Sequence, residues 1–170
     1  MRLVSFTDTQ HRLFLPADIR DAAKERWVTQ QQAQKRRSID DAPFPRMVDF
    51  WFMSIGLAVH RDLAPVEKIS GVMFVQIGPN KQDLQKFPEF WTRTLTLLAV
   101  NEWGYDDPRC IDPARVIDLA NRYAEVGSPV LLGALESQMD DMSSARLYVL
   151  SDVLIEETEP TRQSLGSKVF

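Results

Sequence analysis

The chain has 170 residues, of which 44% are hydrophobic, and its formal net charge is -4 at pH 7. That length suits one domain, the hydrophobic fraction argues against a wholly disordered chain, and the acidic balance does not favour a general nucleic-acid binder. The single cysteine excludes an internal disulfide framework and fits a reducing compartment. Because the sequence shows neither a signal pattern nor a long apolar run, we expect a cytoplasmic protein.

The charge is distributed unevenly along the sequence. Residues 1–46 carry nine Lys and Arg residues against six Asp and Glu residues, whereas residues 47–170 carry eleven against eighteen. We predict a mainly α fold, a compact multi-helix single domain over residues 1–160 that can include a small β element. Residues 1–46 are expected to form a mildly basic N-terminal arm, and residues 161–170 a flexible tail.

The N-terminal arm combines an apolar lead-in with a polar helix. Residues 1–15 contain short apolar pieces that predict either a brief strand pair or an extended segment. Pro16 suits the first turn of a helix because its missing N–H costs nothing there, and helix-forming residues continue to Arg37. Apolar residues keep helical spacing only as far as Val28. The second half of this predicted helix, residues 30–37, is therefore expected to be solvent-exposed, frayed or ordered by a partner.

The strongest positive cluster lies at the end of that predicted helix. Lys35, Arg36 and Arg37 are consecutive, and Arg46 follows closely. One interpretation is a solvated helix end, where cations favour the negative end of the helix dipole. The other is a phosphate-binding site. Because three basic residues in a row are a weak signal, we prefer the first interpretation.

The most apolar stretch of the chain runs from Arg46 to Arg61. A helix that is apolar on nearly every side is normally buried in a core, and this one is too short for a bilayer, which needs about 20 apolar residues. We predict that it is the central helix of the domain. Gly56 would let a neighbouring backbone approach closely, and Asp49 needs a partner, for which Arg46 is the local candidate. Asp49, Trp51 and Gly56 are assigned structural or interface roles.

Two elements are predicted next in the chain. Residues 71–78 form a short apolar run between glycines, which favours a strand over a buried turn of helix. A helix is predicted from Pro88 to Gly104, where glycine is typical just past the C-terminal end.

Two helix starts of the same kind follow. Asp112-Pro113 and Ser128-Pro129 each place a capping side chain before a proline at the first helical position. The first of these helices is expected to end at Gly127, so that the second is separate from it. A last helix is predicted from Ser143 through Ile155.

The sequence contains no recognisable catalytic motif. His11 and His60 have no second histidine or cysteine at ligand spacing, so zinc is not expected, and for His60 we prefer a helix-end histidine over a catalytic base. Cys110 is expected to be a buried structural thiol. The pairs Asp106-Asp107 and Asp140-Asp141 suit a divalent cation, but aspartates in loops and at helix starts are expected for capping alone. We predict no metal site, no cofactor and no catalytic residue; an enzyme would require such side chains to converge in one pocket.

Two segments, taken in order, resemble a known family. The first is Val48–Gly56, with the sequence VDFWFMSIG, and the second is Ile117–Gly127, with the sequence IDLANRYAEVG, followed by Leu131-Leu132. They resemble small helical proteins encoded with bacterial DNA phosphorothioation (Dnd) and related phage-defence islands, which show an "Asp-Phe-Phe…Gly" helix and later a "Tyr-Ala-x-x-Gly…Leu" helix end. The resemblance spans residues 46–135, and this chain differs by a longer N-terminal arm and a longer C-terminal extension.

The resemblance implies a non-catalytic accessory or interaction subunit of a bacterial DNA modification or restriction system. Such a subunit would serve antiviral defence through protein–protein contacts with other subunits of a defence complex, or with further copies of itself as a homo-oligomer. The alternative is a direct DNA-binding protein, since Lys and Arg on phosphates supply sequence-independent affinity. No membrane contact is expected. The charge layout, rather than a family motif, gives the candidate phosphate contacts: Arg26, Lys35, Arg36, Arg37 and Arg46.

Overall fold

The computed structural model describes Phe6 and residues 10–29, 42–78 and 89–137. Within these residues the chain forms four α-helices, one 3-10 helix and a two-stranded antiparallel sheet, which confirms the predicted mainly α fold with a small β element. The elements in chain order are β1 (His11–Leu15), α1 (Ala17–Arg26), α2 (Met47–His60), β2 (Val72–Ile77), α3 (Glu89–Trp103), the 3-10 helix (Pro108–Ile111) and α4 (Pro113–Ser137).

The predicted central helix is α2, and its bounds agree with the prediction to one residue at each end. It packs along α4, the longest helix among the described residues. Phe50, Trp51 and Ala58 of α2 are completely buried. The nearly all-round apolar character of this stretch therefore corresponds to its place in the core.

The close backbone contact in this core lies at Gly127 of α4 and not at Gly56 of α2. A Cβ atom at Gly127 would come within 2.0 Å of the carbonyl oxygen of Ser54 and 2.9 Å of the Cβ of Ala58, whereas a Cβ at Gly56 would meet none of the described residues within 4 Å. The expectation that Gly56 admits a neighbouring backbone is wrong. The missing side chain at Gly127 is what lets α2 and α4 approach each other.

The helix end predicted at Gly127 is also wrong, because α4 continues to Ser137 with Pro129 in its interior. Gly127 and Ser128 are buried against α2, while Pro129 is exposed. An interior proline removes one hydrogen bond and is costly in an isolated helix. Here packing against α2 offsets that cost. The helix therefore continues through Gly127, which had indicated a helix end, and through Ser128-Pro129, which had indicated a new helix start.

The helix predicted from Pro16 to Arg37 ends at Arg26. The next residues form a short parallel bridge: the N–H of Phe44 donates to the carbonyl of Trp27 at 3.1 Å, and the N–H of Thr29 donates to the carbonyl of Phe44 at 3.0 Å. Trp27 is completely buried. Its burial favours the bridge over a further helical turn, so the helix prediction is wrong for residues 27–29, and its remainder lies outside the described residues.

The strand predicted over residues 71–78 is confirmed as β2, and its partner is β1. The two strands run antiparallel, with His11 opposite Ile77 at one end and a register irregularity between Leu13 and Phe14. The alternation of buried and exposed side chains along β1 shows that one face is turned to the core.

The connection between α2 and β2 is held by two side chains of α4. The buried carboxylate of Glu125 accepts the N–H groups of Ser70 at 2.9 Å and of Gly71 at 3.2 Å, and also the hydroxyl of Ser70. Arg122 donates through Nε to the carbonyl of Val66. A buried carboxylate needs such partners, and here they fix the loop ahead of the sheet.

The end of α3 at Gly104 and the start of α4 at Asp112-Pro113 lie where the sequence predicts them. Gly104 has φ of +90° directly after α3, a conformation that glycine adopts without strain. Asp112 caps α4 by accepting the N–H of Ala114 at 2.9 Å. Between them Cys110 is buried, its thiol donates to the carbonyl of Gly104 at 3.2 Å, and burial raises its pKa. It is the structural thiol that was predicted.

The predicted helix over 143–155 and the pair Asp140-Asp141 lie outside the described residues.

Candidate interaction groove

The candidate site is a groove between α2 and α3. The two helices meet through a stacked pair of rings, Phe52 and Trp91, whose centroids are 4.4 Å apart with an angle of 8° between their planes. Phe90 packs edge-on against both rings. Alongside this aromatic cluster the helices leave a groove of about 370 Å³ that is lined by Phe52, Ile55, Gly56, Val59, Thr94, Leu95, Leu97, Leu98 and Asn101.

The groove lies between a second edge of each helix, beside the edge that faces the core. On α3 the edge consists of Thr94, Leu97 and Asn101, which are spaced three and four residues apart and therefore share one face of the helix. On α2 the opposite wall has no side chain at Gly56, and in the described part of the chain no atom lies within 4 Å of a Cβ built there. Gly56 thus forms open floor in the groove rather than a close backbone contact.

Large apolar side chains remain in contact with solvent along this edge. The exposed fractions are 43% for Val59, 58% for Phe90 and 61% for Leu97. Removal of such side chains from water is favourable by roughly 25 cal/mol per Å², and grouped exposed apolar residues mark interaction sites on monomeric proteins. We call the surface formed by the groove and these three residues the α2–α3 groove.

The polar groups of the α2–α3 groove offer no acid–base chemistry. The hydroxyl of Thr94 donates to the carbonyl of Phe90 in its own helix at 2.9 Å, and Asn101 contributes an exposed amide. Neither side chain titrates near neutral pH. The groove is therefore suited to burying apolar side chains of a ligand rather than to transforming one.

The predicted pair of Arg46 and Asp49 is confirmed and lies next to the aromatic cluster. Nε of Arg46 donates to Oδ2 of Asp49 at 2.9 Å, and Nη2 donates to Oδ1 at 2.7 Å. The guanidinium also lies 5.7 Å from the ring centroid of Trp91. The hydrogen bonds to Asp49 raise the pKa of Arg46, with burial acting in the opposite direction. Arg46 thus neutralises the carboxylate of α2 at the edge of the groove.

Trp51 has a structural role, and its partner was missed in the sequence. Its indole Nε1 donates to the amide oxygen of Asn121 at 3.1 Å, and both side chains are buried. Asn121 directly follows Leu119 and Ala120 in the sequence, and all three residues are buried. A polar side chain at a position that helical spacing assigns to the core was the available signal for this contact.

Two of the five candidate phosphate contacts, Arg26 and Arg46, lie among the described residues, and both are engaged in ion pairs. Arg26 is exposed and forms an ion pair with Glu136 at 3.1 Å, and Arg46 is bound to Asp49. Lys35, Arg36 and Arg37 lie outside the described residues. Of the five candidate phosphate contacts, the structure therefore describes Arg26 and Arg46, and each of these binds a carboxylate.

Among the described residues, the side chains considered for catalysis lie at separate places in the fold. His60 is the exposed last residue of α2, and Asp49 is bound to Arg46. Asp107 caps the 3-10 helix and binds Arg109 at 2.7 Å, which lowers the pKa of Asp107. In the part of the chain that the structure describes, no group of three or more His, Cys, Asp or Glu side chains is arranged to hold a metal ion.

Comparison with known proteins gives no relative: no protein-family model, no curated protein and no solved structure matches the chain. The resemblance to Dnd-associated proteins therefore stays a prediction from the sequence. Among the described residues, none of the helices combines the length and apolar character that a membrane span requires.

Proposed function

We propose that this protein is a non-catalytic interaction subunit that binds an apolar helical segment in the α2–α3 groove. The observation that carries the proposal is the groove itself, with the neighbouring Phe90 and Leu97 more than half exposed. An amphipathic helix that lays its apolar face into such a groove is a recurrent mode of peptide recognition. The setting, a bacterial DNA modification or restriction system that acts against phages, is supported by the sequence resemblance alone.

The lining chemistry supports binding over catalysis. The groove is walled by aliphatic and aromatic side chains, and its polar members are Thr94 and Asn101. A binding site for a peptide helix needs little more than shape and apolar area at its centre, with polar groups at the rim. The acidic charge of residues 47–170 is a further reason to favour protein partners over nucleic acid.

The alternative is direct DNA binding by the basic N-terminal arm, and it has less support. Phosphate contacts need cations that are available to replace condensed counterions. Arg26 and Arg46 each bind a carboxylate, so the proposal would depend on Lys35, Arg36 and Arg37. Binding of duplex DNA that weakens steeply with salt, and that is lost when these three residues become Ala, would favour the alternative.

The test compares two exposed apolar residues. Leu97 in the groove and Ile111 on the 3-10 helix are 61% and 64% exposed. Leu97→Asp and Ile111→Asp therefore make the same chemical change and should lower the free energy of unfolding by similar amounts. The tagged full-length proteins are used for affinity capture from the native host, and half of each lysate is treated with nuclease. We expect co-purifying proteins that survive nuclease, disappear with Leu97→Asp and persist with Ile111→Asp.

Two outcomes would contradict the proposal. Equal recovery of the same proteins by both variants would show that they bind elsewhere on the surface. Loss of every co-purifying component after nuclease treatment would mean that nucleic acid, rather than the α2–α3 groove, holds the assembly together.

A further inference from the structure

The two strands of the sheet differ in what lies beside their outer edges. On β1 the side chain of Asn121 accepts the N–H of Phe14 at 3.0 Å and donates to the carbonyl of Arg12 at 2.9 Å. One residue of a parallel strand binds its neighbour in the same way, through an N–H and a carbonyl that are two positions apart. The amide of Asn121 thus takes the place of a further strand, and the outer edge of β1 is already occupied.

The register of the sheet shows which backbone groups of β2 point in the other direction. In an antiparallel ladder, two opposite residues either bind each other through both backbone groups or both turn these groups outwards. Arg12 and Phe14 turn theirs to Asn121. Their partners in the register are Gln76 and Met73. The N–H and carbonyl groups of Gln76 and Met73 therefore point away from β1.

β2 is an open and uncharged edge. Among the described residues, the backbone hydrogen bonds of β2 are confined to its pairing with β1. Of its six side chains only Ile77 is buried, and Met73 is 46% exposed, whereas every second residue of β1 is buried. Natural proteins protect exposed edge strands with charged residues, especially lysine, or with proline. The sequence of β2, VMFVQI, contains neither, which favours an edge that pairs with another strand.

We propose that β2 pairs with β2 of a second copy of this chain, antiparallel and about a two-fold axis, to form a four-stranded sheet. This contact is separate from the α2–α3 groove and does not depend on the function proposed for that groove. The order of strands is β1, β2, β2, β1. The side chain of Asn121 covers both outer edges of this sheet, so the assembly closes at two copies.

The outward residues of β2 match each other about such an axis. Met73 of one copy lies opposite Gln76 of the second copy, and symmetry repeats this pair. Phe74 is an extra residue between the partners of Leu13 and Phe14, so the outward residues are three positions apart. Because this spacing is the same in both copies, the two pairs form together.

The side chains also match. Arg12 and Phe14 are two positions apart and share one face of β1, and opposite residues of a ladder share a face. Met73 and Gln76 therefore lie on one face of β2, and both are exposed. A two-fold axis perpendicular to the sheet keeps that face on the same side in both copies, so each Met73 packs beside a Gln76.

The charge of the chain favours this strand as the contact between copies. Each chain carries a net charge of -4, and contact through acidic surfaces would add repulsion. The uncharged β2 brings two copies together without a like-charge pair along the strand. The second copy also extends a two-stranded sheet, which is marginal by itself, to four strands. Since a contact one strand wide is smaller than the roughly 1,600 Å² of a standard interface, we expect a reversible dimer with a micromolar Kd.

The first experiment combines sedimentation equilibrium with amide hydrogen exchange on the full-length protein, from micromolar to millimolar concentrations. We expect the average mass to rise with concentration from 19.5 kDa towards twice that value. The amides of Met73 and Gln76 should exchange at least about tenfold more slowly in the dimer. Val75 is opposite Leu13 of β1, so its amide is the internal control and should exchange slowly at every concentration.

A matched pair of variants tests the outward N–H of Gln76. Gln76→Pro removes this donor, and proline is tolerated in edge strands where the N–H faces away from the neighbouring strand. Gln76→Thr keeps the donor. We expect Gln76→Pro to raise the Kd of the dimer at least about tenfold, while Gln76→Thr changes it by less than about threefold. Slow exchange at Val75 shows that the pairing of β1 and β2 persists in the proline variant.

Two double variants test the register without proline. Met73→Lys combined with Gln76→Glu places opposite charges across the two-fold axis and should retain or tighten the dimer. Met73→Glu combined with Gln76→Glu places like charges there and should raise the Kd about tenfold at low salt, less so at high salt. Equal Kd values for the two double variants would overturn the proposed register.

Three outcomes would overturn the self-pairing. A monomer at every concentration, with rapid exchange at Met73 and Gln76, would leave the edge for a strand of another protein. A monomer in which both amides exchange slowly would mean that another part of the same chain covers β2. A dimer that is lost with Leu97→Asp but persists with Gln76→Pro would place the contact in the α2–α3 groove.

Discussion

The indole Nε1 of Trp51 donates a hydrogen bond to the amide oxygen of Asn121 at 3.1 Å in the interior of the protein. The same oxygen accepts the N–H of Phe14 at 3.0 Å, and the amide nitrogen of Asn121 donates to the carbonyl of Arg12 at 2.9 Å. One side chain of α4 thus joins α2 and β1. Because Trp51 precedes Phe52 in α2, this contact also fixes the rotation of the helix that presents the groove.

Replacement of Asn121 by Leu should reduce the free energy of unfolding by about 3 kcal/mol. The variant leaves two donors without an acceptor, the buried Trp51 Nε1 and the part-buried Phe14 N–H, and an unsatisfied buried group costs about 1–3 kcal/mol. Urea denaturation measures the change. Trp51→Phe removes one of the donors, so the double variant should lose about 1 kcal/mol less than the sum of the two single losses. Strict additivity would show that the hydrogen bond contributes nothing.

The sequence was sufficient to predict the position of α2 in the chain, but not the contact with Gly127 of α4 that positions this helix in the core. An unbroken apolar stretch bounded by charges predicts a buried helix whatever surrounds it. The roles of Gly56 and Gly127 depend instead on which segment of backbone packs against each glycine. The spacing of apolar residues within one helix does not contain that information. For the same reason, Gly127 and Pro129 indicated a break in α4 that the packing against α2 overrides.

Gly56 of α2 and Gly127 of α4 should respond in opposite ways to substitution by alanine. Gly56→Ala should raise the free energy of unfolding by about 0.5–1 kcal/mol, because alanine favours a helix over glycine and none of the described residues lies within 4 Å of the new atom. Gly133 in α4 has equally open surroundings, so Gly133→Ala is a matched control and should stabilise by a similar amount.

Gly127→Ala should destabilise, because its Cβ would lie 2.0 Å from the carbonyl oxygen of Ser54 and must push α2 and α4 apart. Overpacking of a core costs about 1–3 kcal/mol. Thermal and urea unfolding of the three alanine variants give the comparison. A stabilised Gly127→Ala protein would mean that the two helices are not in close contact.

The pairs Arg46–Asp49 and Arg109–Asp107 should differ in their contribution to stability although their geometry is alike. In both, the arginine binds the carboxylate through Nε and Nη2 and lies near a tryptophan ring. The side chain of Arg46 is 23% exposed and that of Arg109 is 50% exposed. Solvent screens the second pair more strongly.

Substitution by lysine keeps the charge and removes the two-point contact. Arg46→Lys should therefore lower the free energy of unfolding by about 1 kcal/mol, and Arg109→Lys should have a smaller effect. Urea denaturation at low and high salt is the measurement. A larger loss for Arg109→Lys would show that burial does not determine the strength of these pairs.

The α2–α3 groove could be predicted only in part. Helical spacing identifies α3 as amphipathic to buried, but it does not decide which of several apolar residues, such as Leu95 and Leu97, remains exposed. Leu95 is buried while Leu97 is 61% exposed, and this difference depends on which face of α3 packs against the rest of the protein. The Arg46–Asp49 pair was predictable because three residues of one helical turn set its distance, whereas the Asn121 contacts join positions that are 70 and more residues apart.

Stability should decrease as the pH falls below about 6.5, because His11 is buried against Phe6 at a ring distance of 5.6 Å. Burial lowers the pKa of His11 from its usual 6.5, with the charge of Asp112 acting in the opposite direction. The unfolded chain then binds a proton at a higher pH than the folded protein does, so the stabilisation is present above pH 6.5 and is lost as the pH falls towards the lowered pKa. We expect His11→Gln to flatten the dependence of the unfolding free energy on pH between about 7 and 5. Titration of the His11 ring by NMR should give a midpoint below 6.5 in the folded protein; an unchanged slope in the variant, or a midpoint above that value, would show that burial does not control this histidine.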